Sequence, residues 1–193
     1  MPLHLRIAKC ILIWVHLHWI IVIICDILFF FKKKVLAQEQ YVAIPICGNY
    51  KKRKMMTIND CKIIELPNFT DPRGNLSIVE ELNHIPFEIK RTYWIYDVPG
   101  GESRGGHAFM KNQEFIVSLS GAFDVIVDDG KEKKVFNMNR SYYGLYITAG
   151  LWREMNNFST NSLALEFGSI HYEREDYVED YNTFLKLKNN GEI

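Results

Sequence analysis

Two patterns of apolar residues divide this chain of 193 residues. The first is a run over 10–31, broken only by His16, His18 and Asp26. The second starts near residue 55. There, short segments rich in β-branched and aromatic residues alternate with polar positions or run apolar for a few residues. The segments 63–66, 76–80, 89–96, 115–120, 123–127, 133–138, 142–147 and 163–167 are predicted strands on this pattern. Turn signals punctuate them: Asp71-Pro72-Arg73-Gly74, Pro99-Gly100-Gly101 and Asp128-Asp129-Gly130. The last predicts a hairpin between 123–127 and 133–138. Only the tail, 173–188, carries a helical period, with Tyr177, Tyr181, Phe184 and Leu185 at three- and four-residue steps. Many short strands and one terminal helix predict an all-β sandwich or barrel.

Composition changes the picture at one point. The formal net charge is zero, which gives no sign of a nucleic-acid partner. That total conceals a split. Residues 1–54 hold nine Lys and Arg against Asp26 and Glu39, and residues 55–193 hold fourteen basic against twenty-one acidic groups. Three of the four cysteines also precede residue 55. Cys61 alone remains, so the main domain is expected to be a reduced, cytoplasmic protein. We divide the chain into an apolar and basic extension, 1–54, and a domain, 55–193.

The extension has two readings. The run 10–31 is long enough to span a bilayer, and Lys32-Lys33-Lys34 follow it as a cytoplasmic flank would. On that reading it tethers the domain to a membrane. Alternatively, translation begins later. Lys51-Lys52-Arg53-Lys54 can be encoded by purines alone, as a ribosome-binding site is, and Met55-Met56 follow at once.

The densest chemistry lies between Gly100 and Gly121. Gly101, His107, Glu114 and Gly121 fall in the register of the first cupin motif, with Phe109 where a second histidine would stand. Gly144, Gly150 and Asn157 resemble the second motif, with Thr148 for its proline and Arg153 for its histidine. Phe109 cannot ligate a metal and Arg153 repels a cation. His107 and Glu114 alone make no tight divalent site, so no metal and no cofactor are expected.

Longer stretches sharpen the likeness. Residues 61–109, 118–159 and 177–188 resemble the TDP-sugar 3,4-ketoisomerases of the WxcM-like family. The resemblance implies a cupin double-stranded β-helix, a jelly-roll barrel with a short C-terminal helix, assembled as a homodimer. It also implies an isomerase that moves the ketone of a TDP-4-keto-6-deoxyhexose from carbon 4 to carbon 3. Such a product precedes transamination to a deoxyamino sugar for surface polysaccharide. A catalytically weak cupin that binds TDP-sugars as a partner or regulator is the alternative, because the family's His-Ala-His reads His107-Ala108-Phe109 here.

The reaction relocates protons through an enediol, and it needs a base near neutral pH and fixed donors for developing charge. His107 is the expected base and Tyr93 a second catalytic group. Arg73, Arg91, Arg104, Glu114 and Arg153 are the expected substrate contacts, the arginines for the diphosphate or sugar. Strand alternation points Arg91 and Tyr93 to one face, and His107 and Phe109 to another common face.

Overall fold

The computed structural model describes residues 55–193. The extension 1–54, on which both the anchor and the later-start readings fall, lies outside the described residues. Among the described residues, no helix is long and apolar enough to cross a membrane.

In chain order the strands are β1 (Lys62–Glu65), β2 (Asn68–Asp71), β3 (Gly74–Ser77), β4 (Arg91–Ile95), β5 (Arg104–Phe109) and β6 (Glu114–Ser120). They continue as β7 (Phe123–Asp128), β8 (Lys133–Met138), β9 (Tyr143–Ile147), β10 (Trp152–Asn156), β11 (Leu163–Gly168) and β12 (Tyr177–Val178), before helix α1 (Tyr181–Asn190). Two five-stranded sheets form, ordered β1-β9-β6-β11-β4 and β12-β5-β10-β7-β8, and β2 pairs only with β3. All their ladders are antiparallel. Apart from the β7–β8 hairpin, neighbours within each five-stranded sheet come from separate parts of the chain, the crossing pattern of a jelly roll.

Alternation along each strand sorts the side chains. On β6, Glu114 and Ile116 face one way while Phe115 and Val117 face the other, where Ile85, Phe87 and Leu66 cover them. The apolar core gathers Ile116, Phe123, Val125, Phe136, Met138, Leu145 and Met155. Tyr93, Glu114, Arg153 and Glu166 form a polar cluster of their own. Gly144 is needed for closeness: a Cβ there would lie 2.2 Å from the Phe115 ring.

The structure corrects three sequence expectations. Strands β2, β5, β10 and β12 were not among the predicted segments, because glycine, charge or short length hides them from a period-two count. Segment 76–80 holds its strand only to Ser77. The helix begins at Tyr181, not at 173. Asp180 caps it, accepting from the Thr183 amide at 2.8 Å. Upstream, Asp176 accepts from the Lys111 and Asn112 amides at 2.7 and 3.1 Å. That anchor holds Tyr177 and Val178 as a strand beside β5. Helix α1 then packs Phe184 on Trp152 and Val178 over the outer face of the second sheet.

Candidate active site

A cavity of about 470 Å³ opens between β4 and β5, lined by Tyr93, Trp94, Ile95, Tyr96, Arg104, Gly105, His107, Arg153 and Tyr177. Its geometry starts from a bulge. Arg153 pairs with His107, but the next residue, Glu154, pairs with Gly105, so Gly106 is the extra residue on β5. Gly105 and Gly106 both have positive φ. A Cβ on Gly105 would lie 2.8 Å from Arg153 Nη1, so glycine lets the strand lie against the guanidinium.

Arg153 is 2% exposed and is held by two carboxylates. Its Nε donates to Glu114 Oε2 at 2.9 Å, and its Nη2 donates to Glu114 Oε1 at 3.0 Å and to Glu166 Oε2 at 2.7 Å. The Tyr93 hydroxyl donates to Glu114 Oε1 at 2.6 Å. Arg153 Nη1 is buried without a hydrogen-bond partner.

These contacts set the protonation states. Burial would raise the Glu114 carboxyl, but the charge of Arg153 and its hydrogen bonds hold it below the ordinary range. Glu166 shares the same cation. Burial outweighs the pull of Arg153, the charge of Glu114 adds to it, and Glu166 rises to about 7. Burial and both carboxylates keep Tyr93 a phenol. Burial, then the charge of Arg153, brings His107 down to about 4, so its imidazole is neutral at pH 7.

The rings around His107 fix its plane. Phe109 meets it edge-on with centroids 4.7 Å apart, and Tyr177 lies 5.0 Å from it. Its Nε2 is buried without a hydrogen-bond partner, the state of a base awaiting a proton. Phe109 and Tyr177 are themselves 4.6 Å apart.

Of the residues singled out from sequence, Tyr93, Arg104, His107 and Arg153 line the cavity together. Glu114 lies behind them as the partner of Arg153 and Tyr93. Arg91 does share a face with Tyr93, its guanidinium carbon 5.1 Å from that ring. It does not line the cavity but backs Tyr177, donating to that hydroxyl from Nη1 at 3.2 Å. Arg73 stands apart in the β2–β3 turn, its side chain 89% exposed and paired with Asp71 at 2.5 Å. Sequence reasoning missed two residues. Tyr177 was absorbed into the helical period. Glu166 sits on the buried phase of β11 between Ala164 and Gly168, and a carboxylate there was the available signal.

The residues do not fit a cupin metal. Both oxygens of Glu114 are engaged by Arg153 and Tyr93, and Phe109 and Arg153 occupy two of the expected ligand positions. Among the described residues, no group of three or more His, Cys, Asp or Glu could hold a metal ion.

Fold and site together define a cupin in which a neutral histidine faces a cation-lined cavity instead of a metal. The family profile described as FdtA, WxcM-like, C-terminal, matches residues 59–189, more than half of the chain, and the chain belongs to that family. It is 38% identical over 125 residues to TDP-4-oxo-6-deoxy-α-D-glucose-3,4-oxoisomerase of Aneurinibacillus thermoaerophilus, covering 65% of this chain and 90% of that one. The crystal structure of a 3,4-ketoisomerase from Helicobacter canadensis superposes with a TM-score of 0.66 at 38% identity, over 67% of this chain and 98% of that one. QdtA, a sugar 3,4-ketoisomerase from Thermoanaerobacterium thermosaccharolyticum solved with TDP, gives 0.68 at 28% identity, over 69% and 98%.

Proposed function

We propose that this chain is a sugar 3,4-ketoisomerase acting on a TDP-linked 4-keto-6-deoxyhexose. The observation that carries the reading is His107: neutral, held between two aromatic rings, with a partnerless Nε2 beside a cavity lined by two arginines. His107 takes the proton from carbon 3, which the neighbouring carbonyl acidifies. Tyr93 and the unpartnered Nη1 of Arg153 stabilise the charge that develops on the oxygens of the enediolate. The imidazolium then returns its proton to carbon 4, leaving the ketone on carbon 3. Arg104, exposed at the cavity mouth, is the proposed diphosphate contact. Arg91 serves the site from behind, by holding Tyr177.

A homodimer belongs to this reading. The β2–β3 hairpin leaves Phe69 and Leu76 57% and 60% exposed, more apolar surface than a lone hairpin needs. A second copy covering it would also give Arg73 a diphosphate to meet, one that its own cavity is not near. The domain is proposed to work in the cytoplasm, tethered to a membrane only if 10–31 is an anchor. The product would feed a transaminase in deoxyamino-sugar synthesis for surface polysaccharide. The alternative, a weakly active TDP-sugar binder, draws on Phe109 alone.

Borohydride trapping tests the reaction. Reduction of unreacted 4-keto substrate changes configuration only at carbon 4. Sugars inverted at carbon 3, 6-deoxyallose or 6-deoxygulose, appear if the ketone has moved, and which of them appears reports the configuration at carbon 4. Their absence after long incubation with the chain would refute the isomerase and leave the binding protein.

A further inference from the structure

Four groups converge at the buried end of the cavity from four strands: Tyr93 of β4, Glu114 of β6, Arg153 of β10 and Glu166 of β11. His107 of β5 is the next titratable group. Tyr93 and Arg153 act with His107 in the reaction as described above, and Glu114 holds both of them by hydrogen bonds. Glu166 has no part in that reaction. It is fully buried, with Oε2 on Arg153 at 2.7 Å and Oε1 buried with no hydrogen-bond partner. A lone arginine cannot neutralise two carboxylates at that depth, and removing the second charge by a proton is the cheapest solution. Glu166 also stands directly across the β4–β11 ladder from Tyr93, whose hydroxyl is already in the network.

We propose that Glu166 is the proton store of the site, holding the proton that Tyr93 passes to the substrate carbonyl oxygen and taking back the one released from the neighbouring hydroxyl. The inference rests on the isomerase reading and adds a residue to it. The proton balance closes. In the first half, His107 takes the carbon 3 proton while Tyr93 gives its hydroxyl proton to the oxygen on carbon 4, and Glu166, whose carboxyl interacts with the side chains of both Tyr93 and Glu114, makes Tyr93 whole. The enediol is neutral, His107 is an imidazolium and Glu166 is a carboxylate. In the second half, the hydroxyl proton on carbon 3 returns through Tyr93 to Glu166 as His107 delivers its proton to carbon 4. Nothing is oxidised or reduced overall, and every residue ends as it began. The upward shift of Glu166 to about 7 agrees with this, since a store must be nearly balanced between its two states at working pH.

The first test needs no substrate. Carbon-13 labelling of glutamate carboxyls in the full chain, with Glu166 assigned through its backbone, is expected to show this carboxyl titrating near 7. Titration below 5 would overturn the proposal whatever the enzyme does. The second test is Glu166→Gln, which keeps shape and hydrogen bonding but stores no exchangeable acid proton. Turnover is expected to fall about 100-fold, the scale of one general acid–base contribution, with TDP affinity within about threefold of the parent. The limb of the kcat profile near neutral pH should vanish. A parent-like kcat and unchanged profile in E166Q would overturn the proposal while leaving the isomerase reading intact. An inactive parent whose Glu166 still titrates near 7 would instead count against the isomerase reading. If E166Q fails to fold, the carboxyl titration of the parent still decides.

Discussion

His107 stands directly across the β5–β10 ladder from Arg153, one step from the bulge at Gly106. That single register places a permanent cation beside the proposed base. Burial disfavours the imidazolium first and the guanidinium beside it adds to this, so the base is kept free at neutral pH. The second cupin motif keeps its position here and changes its purpose.

The pH profile should report this pairing. His107 titrates near 4, below the ordinary 6.5, and it works as a base only when neutral. Activity as kcat/KM should therefore persist as pH falls through 6.5 and be lost on the acid side around 4. An acid limb centred at 6.5 or higher would show that burial and Arg153 together do not lower His107 in the working enzyme.

Arg153→Met removes the one cation that two buried carboxylates share. The expected loss is about 3–5 kcal/mol of folding stability at pH 7, read from urea unfolding. The loss should shrink at acid pH, where both carboxyls take up protons. A variant as stable as the parent at pH 7 would mean that Glu114 and Glu166 do not depend on Arg153 for compensation.

Gly105→Ala asks whether the close approach of backbone to guanidinium matters. Positive φ and a Cβ 2.8 Å from Arg153 Nη1 both oppose it. We expect a loss of about 1–3 kcal/mol from backbone strain, together with a larger fall in kcat than in TDP affinity. Parent-like melting and turnover would contradict the bulge geometry described above.

Phe109→His restores the second histidine of the motif. Phe109 is 3% exposed and contacts the His107 and Tyr177 rings. An imidazole there leaves buried polar atoms to satisfy, at about 1–3 kcal/mol. The parent is expected to turn over substrate already, and the variant to change the rate or the configuration of the product. Turnover that exists only in the variant would favour the binding-protein alternative.

Much of this arrangement was legible before the structure. Alternation predicted most of the strands and pointed to Tyr93, motif spacing pointed to His107 and Arg153, and the family resemblance to Arg104; these four share one cavity. What stayed hidden was hidden for physical reasons. Gly105-Gly106 break the period of β5, yet they form the bulge that aligns His107. Tyr177 lies at a helical spacing from Tyr181, yet the buried Asp176 and the capping Asp180 hold it outside the helix. Glu166 carries no motif. Its meaning depends on Arg153, 13 residues earlier in the chain but 2.7 Å away in space. Arg73 belongs to the β2–β3 hairpin, which joins neither five-stranded sheet, and its side chain is 89% exposed.

The most direct test of the central claim is to incubate the chain with TDP-4-keto-6-deoxyglucose in heavy water and follow the sugar protons by NMR. The account predicts loss of the carbon 3 proton signal together with a new 3-keto product whose carbon 4 carries the proton delivered by His107, replaced by solvent deuterium only as far as the imidazolium exchanges, and abolition of both by His107→Asn. Retention of the carbon 3 proton with no product, while TDP still binds, would contradict it.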